Sequence, residues 1–250
     1  MKWTLFARLD RTVAHARHLD VAADAPVLAA SLVANNPRLL AGCEDAAETM
    51  ARCALAMLCR LPEDIDEAAA SLIDENPLAP AETLARVAAL AYVALCDDLL
   101  PDDLPGGGGL IDDAISLRAT GVGAVHGWDQ DARARQLATL GVEARFLSLF
   151  LPRTRLAEFD HALGGLFWTI STYTRAPLSE VKQVTRRLIE RPPRTLAELL
   201  PEHDGFDTAP RPRLFALCDA TLEPTDAALR FRYTDGVVIA LEANHLRLCD

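Results

Sequence analysis

The sequence predicts an α+β protein: a mainly helical body with a degenerate duplicated helical hairpin, followed by a small C-terminal antiparallel β-sheet. Three observations carry this. Apolar residues recur three and four apart through most of residues 2–200, pieces of one helical unit reappear downstream, and beyond a polar stretch at 201–213 the pattern changes to short runs suited to strands. Half of the 250 residues are hydrophobic, enough for a sizeable core. The chain divides into a helical region at 1–127 holding the duplicated units, a helical region at 128–200, and a β element at 212–250 that needs the helical body to cover one face.

Residues 2–20 form an amphipathic helix on the spacing of Trp3, Phe6, Leu9, Val13 and Ala16, a stripe suited to a core or a partner. His15 and His18 share a face but have no third ligand nearby, so they read as solvated or capping residues. Two helices fit 25–60, broken near Asn35-Asn36-Pro37 and Gly42, and the second is rich in Ala, Leu and Met.

Much of this pattern then recurs. Ser31-Leu32-Val33 with Asn36-Pro37 returns as Ser71-Leu72-Ile73 with Asn76-Pro77; AETMARCALAMLC at 47–59 returns as AETLARVAALAYVALC at 81–96; Leu61-Pro62-Glu63-Asp64-Ile65 returns as Leu100-Pro101-Asp102-Asp103-Leu104. Offsets of 40, 34 and 39 residues describe a degenerate duplication, not a strict solenoid.

The stretch at 92–113 predicts two packed helices joined by a tight turn. Asp102 or Asp103 is placed to cap a helix, Pro101 and Pro105 restrict the path, Gly106 to Gly109 permit close backbone approach, and Asp112 and Asp113 fall at the next helix N-terminus, where negative charge is favoured. On Asp98-Leu99-Leu100-Pro101-Asp102-Asp103-Leu104-Pro105 and Ile111-Asp112-Asp113, residues 82–120 resemble the YkvA-like family (DUF1232 domain), whose pattern is approximately Asp-Leu-Ile-Pro-Asp-x-Ile-Pro, a glycine-containing turn, then Leu-Asp-Asp. The resemblance implies a small helical hairpin and brings no settled biochemical activity with it.

Further helices are expected at 129–140, 142–151 and 155–172, then at 179–191 with Ser179 as its cap, and a short one at 195–200. Strands are expected at 214–218, 228–233, 237–241 and 246–249, with Asp235-Gly236 turning the middle pair into a hairpin.

Charge is unevenly distributed. Residues 61–113 hold thirteen acids against the single base Arg86, whereas 133–194 hold eleven bases against five acids. The acidic half argues against nucleic acid as a partner, and the two halves could attract one another within the fold or across a dimer. Arg186, Arg187, Arg191 and Arg194 form a basic edge suited to an acidic partner. Cysteines 43, 53, 59, 96, 218 and 249 include no CxxC pair and read as small hydrophobes. The N-terminus has no signal-peptide pattern, and the longest uncharged apolar stretch in the hairpin, 87–96, is too short to span a bilayer, so a cytoplasmic location is expected, integral membrane insertion is not, and peripheral membrane contact stays open.

The features closest to chemistry are few. Asp98, Asp102, Asp103, Asp112 and Asp113, with Asp97, are hard oxygen donors that could hold Mg²⁺ or Ca²⁺ if the bend drew them together. Structural capping plus a solvated acidic surface explains the same residues with no cofactor. Gly121-Val122-Gly123-Ala124-Val125-His126-Gly127 has its final glycine misplaced for a dinucleotide loop and reads as an interhelical loop. The expectation is a non-enzymatic interaction or structural protein acting through protein binding or self-association. A divalent-metal-assisted hydrolase using the acidic turn is the enzymatic alternative, and a peripheral membrane protein the third reading.

Overall fold

Helix α1 (Thr4–Arg17) turns Leu5, Leu9, Thr12 and Ala16 fully inward, with Phe6 and Val13 at the margin, so its apolar stripe faces the protein's own core. The computed structural model describes residues 4–73, 80–95, 99–124, 141–156, 158, 159, 162, 173, 176–199, 220–225 and 227–249. Trp3, Cys96, Asp97, Asp98, Cys218, the expected helix at 129–140 and the expected strand at 214–218 lie outside these.

Asp20 starts α2 (Val21–Asn35) by accepting the Ala22 and Ala23 N–H groups at 2.8 and 3.3 Å, while the Asp24 carboxylate accepts the Asp20 N–H at 2.8 Å. Next come α3 (Ala46–Leu58), α4 (Leu61–Ile73), α5 (Pro80–Val93), a 3₁₀ helix (Pro105–Leu110) and α6 (Ile111–Ala124). Residues 141–148 are helical, followed by α7 (Leu178–Glu190) and α8 (Leu196–Leu199). Helix α2 packs on α3 and on the 3₁₀ helix, α4 packs on α1 and α5, and α5 also packs on α6 and α7. The core joins leucines, alanines and methionines of α2, α3 and α5 to Tyr92, Phe146 and Phe159.

Two local expectations are corrected. Residues 121–124 continue α6 and form no loop, because nothing in Gly-Val-Gly-Ala forces an end to a helix already packed on α5. Ser179 does not cap α7: Pro177 holds the cap position with extended φ and ψ of −56° and 142°, and Ser179 falls in the first turn.

The sheet is an antiparallel meander, β1 (Ala220–Pro224), β2 (Leu229–Tyr233), β3 (Val238–Glu242) and β4 (His245–Cys249), in spatial order β1-β2-β3-β4. Its register aligns Leu222, Phe231, Ile239 and Leu248 across the strands, and the first three are buried. At the β2–β3 turn the Gly236 N–H donates to the Tyr233 carbonyl at 3.0 Å and only Gly236 takes positive φ, so Thr234-Asp235 makes a type I turn and Gly236 the glycine bulge after it. The β3–β4 turn is carried by Ala243 and Asn244, at φ 45° and 67°, a left-handed pair without glycine.

The 141–151 segment links sheet and helices. Phe146 stacks edge-on against Phe231 and Phe150 at 5.6 and 5.7 Å, and Arg145 pairs with Asp235 at 2.6 Å while lying over the Tyr233 ring. The Cys53 thiol meets the Asn244 carbonyl at 3.8 Å, bringing α3 to the tip of the last hairpin. Among the described residues no helix is long and apolar enough to cross a membrane.

Candidate functional site

Helices α5 and α6 pack together as expected, but the chain between them is a long bend and not a tight turn. Pro105 disfavours helical geometry at the preceding residue, and Leu104 is extended with ψ 132°. The Leu104 N–H closes a turn onto the Pro101 carbonyl at 3.0 Å. Gly109 then passes directly beneath this turn: a Cβ there would collide with the Pro101 carbonyl oxygen and lie 2.7 Å from the Asp102 backbone. Asp102 and Asp103 cap no helix, because Leu104 occupies the cap position of the 3₁₀ helix and makes no side-chain cap bond.

Asp112 and Asp113, in the first turn of α6, are both fully buried. This corrects the expectation of a solvated acidic surface at these two positions. The Asp112 carboxylate accepts the Tyr92 hydroxyl of α5 at 3.0 Å and the Leu100 N–H of the bend at 3.1 Å, both at Oδ2. One side chain therefore fastens three elements. The Ser116 hydroxyl donates back to the Asp112 and Asp113 carbonyls at 3.0 and 3.2 Å. Burial pushes the Asp112 carboxyl up to about 7, opposed by the bonds from Tyr92 and Leu100. No hydrogen-bond donor meets its Oδ1 among the described residues, which leaves ionisation little to offset the loss of water.

Asp103 is exposed, Asp102 is half-buried, and Asp98 lies outside the described residues. Among the described residues no group of three or more His, Cys, Asp or Glu side chains is placed to hold a metal ion. At the end of α1 the His18 ring donates to the Ala14 carbonyl at 2.6 Å. Cys43, Cys53, Cys59 and Cys249 are free thiols, and burial pushes Cys53 up to about 12, far from a reactive thiolate.

Sequence reasoning missed a second polar centre on the same helix. Arg118 of α6 is 3% exposed and pairs with Glu143 at 2.6 Å and with Asp64 of α4 at 3.2 Å, while donating to the Ala114 and Met57 carbonyls. Arg60 holds the other Glu143 oxygen at 2.9 Å. This network joins α3, α4, α6 and the 141–148 helix. Burial raises the Asp64 carboxyl, with Arg118 and Arg60 acting against that rise.

Glu63, Asp66 and Glu67 stand along the outer side of α4, whereas α7 exposes acids and bases together, Glu180, Lys182, Arg186, Arg187 and Glu190, with Arg191 just beyond it. Compared with protein-family models, curated proteins and solved structures, the chain matches none.

Proposed function

We propose that this chain is a cytoplasmic protein that acts by binding protein, through a preformed helical body and with no chemical step of its own. The observation that supports this best is where its charge sits. Of the carboxylates on which a catalytic reading depends, Asp112 and Asp113 are sealed in the core, and Asp112 ties α5, the bend and α6 together. Exposed charge of one sign instead lies along the outer side of α4, at Glu63, Asp66 and Glu67, an arrangement that steers and orients a protein partner. The peripheral membrane reading has lost its amphipathic helix, since α1 turns its apolar stripe inward. The likeness to YkvA-like hairpins supplies a structural unit for this role and no reaction.

Photo-crosslinking in cells tests the reading. A photoreactive residue replacing Ala70 on α4 or Gln183 on α7, both exposed, is expected to give discrete protein adducts, and one replacing Arg38 far fewer. No protein adduct at either helix would contradict it.

A further inference from the structure

Resting on that protein-binding reading, we propose that the free edge of β4 takes an extended segment of the partner protein as a fifth, antiparallel strand. The segment that fits is apolar, acidic and apolar at three successive positions.

The two edges of the sheet differ. Leu222, Phe231, Ile239 and Leu248 form one row across its inner face and are 9, 0, 0 and 50% exposed, so the row is covered at β1 and open at β4. Strand β1 also ends in Pro224, which has no N–H to offer a neighbour, whereas β4 contains no proline. The hairpin of β3 and β4 closes on Glu242 and His245 through the two-residue left-handed turn. Ladder alternation then turns the backbone of His245, Arg247 and Cys249 toward β3 and that of Leu246 and Leu248 away from it. Neither leucine gives or takes a backbone hydrogen bond on that outer side among the described residues. Two donors and two acceptors therefore stand unpaired beside two side chains of the apolar face, the combination that strand addition uses.

Arg247 decides the occupant. It lies between the two leucines on the outer face of the sheet, in a row with Ala240 and Arg230, and its contact with Glu242 at 2.6 Å is an exposed pair. A second copy that used all four backbone groups would set Leu246 against Leu248 and the two Arg247 side chains directly opposite each other, which is unfavourable. Moving the twofold axis onto either leucine halves the bonds made within β4. A foreign strand with an acid at that position keeps every bond and meets Arg247 with the opposite charge.

Titration of the ¹⁵N-labelled full chain with a five-residue peptide of alternating valine and glutamate, valine at both ends, tests the proposal. At peptide concentrations up to ~1 mM the amide resonances of Leu246 and Leu248 are expected to shift. Methylating the valine amides, which would face β4, is expected to weaken binding about tenfold, and methylating the glutamate amides, which face away, is expected to leave it unchanged. At ~0.15 M salt, where charges beyond about 8 Å are screened, lysine in place of glutamate is expected to weaken binding about fivefold, and Arg247→Glu to reverse that preference. Leu248→Pro removes an edge N–H that the sheet does not use, so the chain is expected to keep its circular dichroism spectrum and lose the peptide. No shift at ~1 mM, or shifts indifferent to the methyl groups and to Leu248→Pro, would overturn the proposal. So would a wild-type chain that dimerises in sedimentation velocity and is made monomeric by Leu248→Pro, since a second copy then holds the edge. Either result alongside photo-adducts at α4 or α7 leaves the protein-binding reading intact; adducts at neither helix would remove both.

Discussion

Residues 61–65 and 100–104 carry nearly the same five-residue pattern, Leu-Pro-acid-acid-apolar, and take different conformations. Leu61 to Ile65 open helix α4, with Leu61, Pro62 and Ile65 buried and Glu63 facing water. In the second stretch Leu100 is buried but Pro101 and Leu104 are exposed, and the chain makes a turn before its 3₁₀ helix. The residue that follows separates them. Asp66 lets the first helix run on, whereas Pro105 blocks helical geometry at Leu104, and the glycines behind it let the chain fold back under Pro101. A local motif thus fixes its conformation only together with its downstream neighbours. The acids diverge accordingly: Asp64 reaches the buried Arg118 of α6, while its counterpart Asp103 is exposed.

The two units are most vulnerable at Arg118, the point where α6 reaches the first of them. Arg118→Met leaves Glu143 and Asp64 without their buried cation and is expected to cost about 3–5 kcal/mol in a urea unfolding curve. Next in size, Asp66→Pro gives the first unit the residue that bends the second; it is expected to cost about 3 kcal/mol and to lower helical ellipticity. Gly109→Ala attacks the second unit directly. Because the added methyl meets backbone and not a movable side chain, the expected cost is about 3 kcal/mol, read as a fall in Tm. The matching position in the first unit is Ala70, exposed on a regular helix, so Ala70→Gly is expected to cost only about 1 kcal/mol. Equal losses at 109 and 70 would show that the two units are held alike.

Apart from α4, whose opening Leu61 to Ile65 read as a counterpart of the bend, helices α1 to α7 were legible because apolar periodicity and burial report the same physics, and β2 to β4 because alternation and the Asp235-Gly236 turn agree. The strand Ala220–Pro224 was not, since a single buried residue, Leu222, sets no visible alternation. The turn at Ala243-Asn244 was hidden because alanine does not advertise a positive φ. At the site, two adjacent acids at a helix start ordinarily mean solvent. The apolar neighbours Leu110, Ile111, Ala114 and Ile115 on both sides were the available sign that Asp112 and Asp113 are buried. Nothing local could pair Arg118 with Glu143, 25 residues away, or with Asp64 on another helix.

Asp112 is, on this geometry, a buried fastening of the bend. Its carboxyl is raised from 3.8 to about 7 on folding, so the native state holds a proton that the unfolded chain releases. The contribution of that proton to stability is fully present below about pH 4 and is lost as the pH rises to about 7. The decisive measurement is equilibrium unfolding of the wild-type chain and of Asp112→Asn between pH 4 and 8. The wild-type chain is expected to lose stability relative to the variant across that range, by a few kcal/mol, since the amide of the variant has no proton to release. Parallel pH profiles for the two proteins would contradict the buried fastening and return Asp112 to an ordinary solvated carboxylate.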